Sequence, residues 1–199
     1  MKRVLLLITT TLLVVLVPAG VQIAKATPAS RAIHASLKSL VLTKADVTRV
    51  YGSGFTGGRG VAQKNTSDKS KCANAKSADE YVISFSKSNG FSVFSNVSAF
   101  KDASTVQCEL RYGLTLLKQE NKIKGYKIYS SSLGGIGDSA YLVTSTIVSG
   151  TTHIYATDVI FLKGRYAASV EASGRQSNIK TNDVVGLAHV VEARINNGG

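Results

Sequence analysis

The sequence of 199 residues contains no tryptophan, one methionine, two prolines and two cysteines. Cys72 and Cys108 are too far apart for a Cys-x-x-Cys motif, and no histidine stands beside either. Thiol-redox chemistry and a thiolate metal centre therefore have no sequence support. Acidic residues are also few, 12 against 24 Lys and Arg, and no two carboxylates are placed by local spacing for acid–base work. There is no Gly-x-Ser-x-Gly and no Gly-Lys-Ser/Thr, which leaves serine-hydrolase and P-loop chemistry without their motifs. Charged residues make up only 18% of the chain and hydrophobic ones 44%, so it can bury a core and is not a disordered polyelectrolyte.

What is present begins with an export signal. Met1-Lys2-Arg3 is basic, Val4 to Val17 is apolar apart from three threonines, and Pro18 and Gly20 break the segment. Ala24-Lys25-Ala26 then supplies the small-x-small pattern of a signal-peptidase site, so cleavage is expected after Ala26. An uncleaved anchor over Val4 to Ala24 is the alternative. No cysteine lies at this boundary to carry a lipid. Losing Lys2, Arg3 and Lys25 would lower the basic excess from 12 to 9, still enough to attract anionic envelope polymers or lipid headgroups. The basic residues are scattered; only Lys69/Lys71/Lys76 and Lys118/Lys122/Lys124/Lys127 cluster, with no interleaved aromatics, which disfavours nucleic acid. In an exported chain the two thiols are expected to form one Cys72–Cys108 disulfide.

Residues 27–39 read as a lead-in and 40–199 as a single domain. "LVLTKADVTRVYG" predicts a short helix with Thr43 as N-cap, Asp46 in its first turn and Gly52 at its end. Ser53 to Asp79 reads as a long polar loop pinned by Cys72. Glu80–Ser88 and Phe91–Ala99 alternate apolar and polar residues around Asn89-Gly90, predicting a hairpin with a type I′ turn. Asp102 then caps a helix to about Asn121, with Ala103, Val106, Leu110, Leu114 and Leu117 on one stripe and Cys108 facing away from it. Strands are expected at 127–130, 139–148, 152–162 and 165–172. A last helix, capped by Thr181 or Asn182, has Val184, Leu187, Ala188, Val191 and Ile195 on one side. The order of elements argues α+β, a mostly antiparallel sheet flanked by helices.

The runs "LGGIGDSAYLV" and "DVIFLKGRYAASVEASG", the closing amphipathic helix and the early "LVLTKADV" resemble a group of exported bacterial proteins. The group includes small secreted proteins and lipoproteins of actinobacteria and the extracellular sensor domain of a mycobacterial Ser/Thr kinase. The resemblance covers most of 40–195 and implies a Mog1/PsbP-like α/β/α sandwich. It supplies no catalytic residues. The kinase sensor has a ligand-binding polar cleft and more disulfides than this chain can form, so the resemblance does not carry that cleft over to a chain with one possible bridge.

Gly134, Gly135 and Gly137 could suggest a phosphate cradle. The segment after Asp138, however, is β-branched and strand-like, where a phosphate site would require a helix N-terminus. The glycines are read as a bend, with Asp138 bonding local amides. Ser84/Lys87 and Ser98/Lys101 match Ser-x-x-Lys without the other penicillin-binding elements. His34, His153 and His189 stand alone, and the glycosylation sequons at Asn65 and Asn96 are set aside for a bacterial chain. No catalytic residue, metal site or cofactor is assigned. The reading adopted is a secreted, non-enzymatic binding or sensor-like domain at the cell envelope, with an anionic envelope polymer or another exported protein as partner. The alternatives are a ligand-free interaction domain and an envelope hydrolase. A pocket gathering two or more of Asp138, Asp158, Glu171 and the histidines would favour the hydrolase.

Overall fold

The computed structural model describes residues 37–64, 72, 78–175 and 179–198. The expected leader with its Ala24 and Ala26, His34 and the Lys69/Lys71/Lys76 cluster lie outside the described residues. Helical residues 37–40 lead into α1 (Lys44–Tyr51), followed by β1 (Thr56–Gly57), β2 (Val61–Lys64), β3 (Asp79–Ser86), β4 (Ser92–Ala99), α2 (Ala103–Glu120), β5 (Tyr126–Leu133), β6 (Ser139–Ser149), β7 (Thr152–Lys163), β8 (Tyr166–Gly174) and α3 (Thr181–Gly198). The eight strands form one antiparallel sheet in the order β1-β3-β4-β8-β7-β6-β5, with β2 beside β1 on the same edge of β3.

Local chemistry starts the helices as the sequence implies. Thr43 and Asp46 form a reciprocal capping box: the Asp46 amide donates to Thr43 Oγ1 and the Thr43 amide donates to the Asp46 carboxylate. Asp102 caps α2 by accepting from the Thr105 amide at 2.8 Å. α3 begins one residue earlier than expected. Thr181 and Asn182 lie inside it, and the carbonyl of Lys180 accepts the first helical bonds.

Four other expectations are corrected. The segment 53–79 is not wholly loop, because β1 and β2 hold to the β3 edge; as strands of two and four exposed or half-buried residues, they lack a readable alternation. The β3–β4 turn is not the two-residue type centred on Asn89-Gly90. The Gly90 amide donates to the Lys87 carbonyl, placing Ser88 and Asn89 at the centre, and Gly90 follows at φ 84°. β5 extends to Leu133 on one side of the glycines, and Ala103 at the start of α2 is exposed.

Alternation along the strands divides the side chains between two faces. One face, with Phe85, Val93, Val97, Val159, Phe161 and Val170, packs under α1, residues 37–42 and the apolar side of α3 in the main core. Val184, Leu187, Ala188, Val191 and Ile195 are all buried there. The other face is crossed by α2, which makes only two small clusters with it: Val106 with Phe100 and Leu162, and Leu117 with Ile128 and Val143. The layers are therefore helix, sheet, helix.

Cys72 and Cys108 are joined by a disulfide. Cys108 projects from the exposed side of α2, so the bridge ties the segment after β2 to the helix from outside.

Candidate functional site

The glycine-rich bend connects antiparallel β5 and β6, with Leu133 opposite Ala140, and leads into no helix. Its geometry is set by close packing: a Cβ on Gly137, at φ 60°, would stand 2.2 Å from the Leu162 carbonyl oxygen. The Gly137 amide donates to Glu192 of α3 at 2.7 Å. Asp138 does not bond local amides as expected; it accepts from the Gly164 amide at 2.6 Å and pairs with Lys163. The bend is thus stitched to the β7–β8 turn and to α3. It serves as a corner.

The other candidates are dispersed. Ser84 lies on the α2 side of the sheet, whereas Lys87 donates to the Tyr51 carbonyl and covers the Phe55 ring. Ser98 is buried beside Glu80 and Lys101 is exposed. His153 stacks on Tyr155 at the start of β7, and His189 contacts Glu192 on α3. Among the described residues, no group of three His, Cys, Asp or Glu could hold a metal ion.

Polar groups converge in one place, the sheet face beneath α2. Gln63 on β2 donates to Glu80 at 2.8 Å, as does Asn96 on β4. Asn96 Oδ1 then accepts from the amide and hydroxyl of Ser169 on β8. Burial pushes the Glu80 carboxyl up, against the hydrogen bonds from Gln63, Asn96 and Ser98. This chain crosses four strands and ends at the wall of a cavity of about 60 Å³ between α2 and the sheet. Asn96, Ser98 and Ser169 supply its polar floor, Ile160 and Leu162 its apolar floor, and Leu110, Gly113 and Leu114 of α2 its roof.

One position further along the same face, Asp158 on β7 stands directly opposite Glu171 on β8. Asp158 is 0% exposed and Glu171 5%. Neither oxygen of Asp158 has a hydrogen-bond partner. Burial first, and the Glu171 charge second, raise Asp158 well above the carboxylate range. Burial pushes Glu171 up to about 7; the adjacent Ser173 hydroxyl offsets part of this without completing a well-formed hydrogen bond. Sequence spacing names both residues as candidates but does not pair them, because they sit in separate strands and only the β7–β8 register brings them together. The pair meets half of the condition set for a hydrolase. It adjoins the cavity but does not line it, and so is shielded from the water that hydrolysis needs.

No family model matches the chain, and no curated protein matches it. Among solved structures, the extracellular domain of PknH from Mycobacterium tuberculosis is similar in fold: 82% of this chain and 96% of that one superpose with a TM-score of 0.57 at 16% identity. LpqN of the same organism, involved in cell envelope biogenesis, aligns over 77% of this chain and 95% of its own at 14% identity, with a TM-score of 0.30, too low to establish a common fold. No helix among the described residues is long and apolar enough to cross a membrane. The chain is similar in fold to the extracellular domain of PknH.

Proposed function

We propose that this protein is an exported, non-enzymatic binding domain of the cell envelope, whose ligand inserts an apolar group between α2 and the sheet. The observation that carries the reading is the cavity itself, an apolar slot over a hydrogen-bonded polar floor. Its size sets the ligand's form. About 60 Å³ admits a chain end or a small branched group and no more, so the rest of the ligand must lie outside or displace α2. The helix can give way because, among the described residues, its apolar contact with the sheet is confined to two small clusters, the Cys72–Cys108 bridge holding it from outside. The leader and the basic excess support placement outside the cytoplasm near anionic polymers, and the PknH likeness supports the architecture alone.

The test is a melting experiment on the domain starting at Thr27, with 1-hexanol as probe. A ligand that prefers the folded state raises the melting temperature in a concentration-dependent way. Gly113→Leu fills the slot from α2, where a Cβ meets only open space. It should stabilise the free protein by removing a mid-helix glycine, and abolish the hexanol response. A hexanol response unchanged in Gly113→Leu would place binding elsewhere and end this reading.

A further inference from the structure

Two carboxyl groups in one dry position, facing each other across neighbouring strands, call for an explanation that folding alone does not give. Charged groups are buried when paired, and unpaired ones cost heavily. Among the described residues, no basic side chain stands beside Asp158 or Glu171 to offset them. Around them on the same sheet face, the register sets Phe94 of β4 opposite Glu171, Val143 of β6 opposite Asp158, and Ser173 next along β8. The Ser173 hydroxyl is likewise buried without a hydrogen-bond partner.

We infer that Asp158, Glu171 and Ser173 form a receptor for a primary ammonium group, and that the ligand of the α2 cleft is an amphiphilic amine. The inference rests on the cleft reading, which it extends by naming the charged end of the ligand. The two unpartnered Asp158 oxygens and the Ser173 hydroxyl, with the Glu171 carboxylate beside them, offer acceptors for the three N–H donors of an alkylammonium ion. The aromatic residue at position 94 adds a ring beside the pair, the surface a desolvated cation prefers. A hard metal ion fits less well. Calcium takes six to eight oxygens, many of them backbone carbonyls, and the neighbouring carbonyls belong to ladders of the sheet interior. The spacing also suits one molecule. Asp158 and Glu171 lie two residues from Ile160 and Ser169 of the cavity floor, roughly 7 Å along the strands, about the reach of a short alkyl chain.

The experiment compares 1-hexanol, hexylammonium, methylammonium and hexyltrimethylammonium by titration calorimetry on the domain starting at Thr27, in wild type and in Asp158→Asn/Glu171→Gln. Hexylammonium is expected to bind at least tenfold more tightly than hexanol. Hexyltrimethylammonium, which has no N–H donor, should lose most of that advantage. The double variant should bind hexylammonium and hexanol alike while keeping its hexanol affinity. Methylammonium, too short to reach the cavity, reads the carboxyl pair alone and should bind wild type only. Should neither amine bind more tightly than hexanol in wild type, the ammonium receptor is refuted, whatever hexanol itself does. Binding of hexanol in that outcome leaves the cleft standing, and its absence removes the cleft as well. An amine advantage that survives in the double variant also refutes the assignment. The wild-type comparison is decisive even if the variant does not fold.

Discussion

On one side of the sheet, five apolar residues of α3 close over valines and phenylalanines from the central strands, and Arg194 bonds both the Val41 carbonyl and Asp46. On the other, α2 touches the strands through two small patches, spans a cavity lined by its own buried Glu109, and neighbours three further buried carboxyl groups: Glu80, Asp158 and Glu171. Both helices have 18 residues and both begin with sound N-terminal chemistry. Helix formation is therefore not what separates them. The sheet beneath is. Strand positions facing α3 are mostly Val, Phe and Ala, whereas those facing α2 mix Ser, Asn, Asp and Glu with Phe94, Ile128, Val143, Ile160 and Leu162. One face is filled for stability, and the other gives up packing to hold polar groups out of water.

The largest expected contrast comes from removing the same volume on each side. Leu187→Ala on the α3 side should cost about 4 kcal/mol, because a fully buried leucine leaves a cavity its neighbours cannot fill. Leu110→Ala, which only widens an existing cavity from a half-buried position, should cost about 1 kcal/mol. Chemical denaturation measures both; equal losses would erase the distinction between the faces.

Next in size is the Cys72–Cys108 crosslink, which spans 36 residues of sequence. Its removal by Cys72→Ser/Cys108→Ser should lower stability by about 3 kcal/mol through the entropy of the unfolded chain. Hydrogen exchange should sharpen the comparison: amides of α2 lose protection by local opening, while those of α3 change only with global stability. Uniform loss in both helices would show that the crosslink does not act on α2 in particular.

A further contrast is a pH dependence of opposite sign on the two sides. Asp158 and Glu171 are raised in the folded state, so folding takes up protons there. Their contribution is complete below about pH 4 and declines as pH rises, through about 7 for Glu171. Asp46 on the α3 side runs the other way. Burial raises it, but the Thr43 hydrogen bonds and Arg194 outweigh that and leave it lowered, so its contribution is lost as pH falls below about 4. The stability of Asp158→Asn/Glu171→Gln minus that of wild type should therefore rise between pH 4 and 8. A flat difference would mean that the pair ionises as freely as in the unfolded chain.

The face packed under α3 was largely legible from spacing. The Val184-to-Ile195 stripe, the Thr43–Asp46 box and the hairpin flanking Asn89-Gly90 are local patterns, and each specifies its own element. Orientation along a helix also showed that Cys108 would point outward, which is where its bridge attaches. The α2 side was hidden for a physical reason. Its polar residues come from β2, β3, β4, β7 and β8, and their meeting depends on a register that no single segment encodes. The partners of Asp138 escaped notice similarly, since an aspartate after glycines signals a local turn, whereas Gly164 lies 26 positions away.

The place of β8 constrains how the molecule can be made. β1 to β4 meet β5 to β7 only through it, since β4 and β7 both pair with β8 and not with each other. A growing polypeptide that has reached residue 165 consequently holds two separate half-sheets, each with a bare edge waiting for the same missing ribbon. Joining them waits for β8, and a chain stopped before it would present two sticky margins in place of one closed molecule.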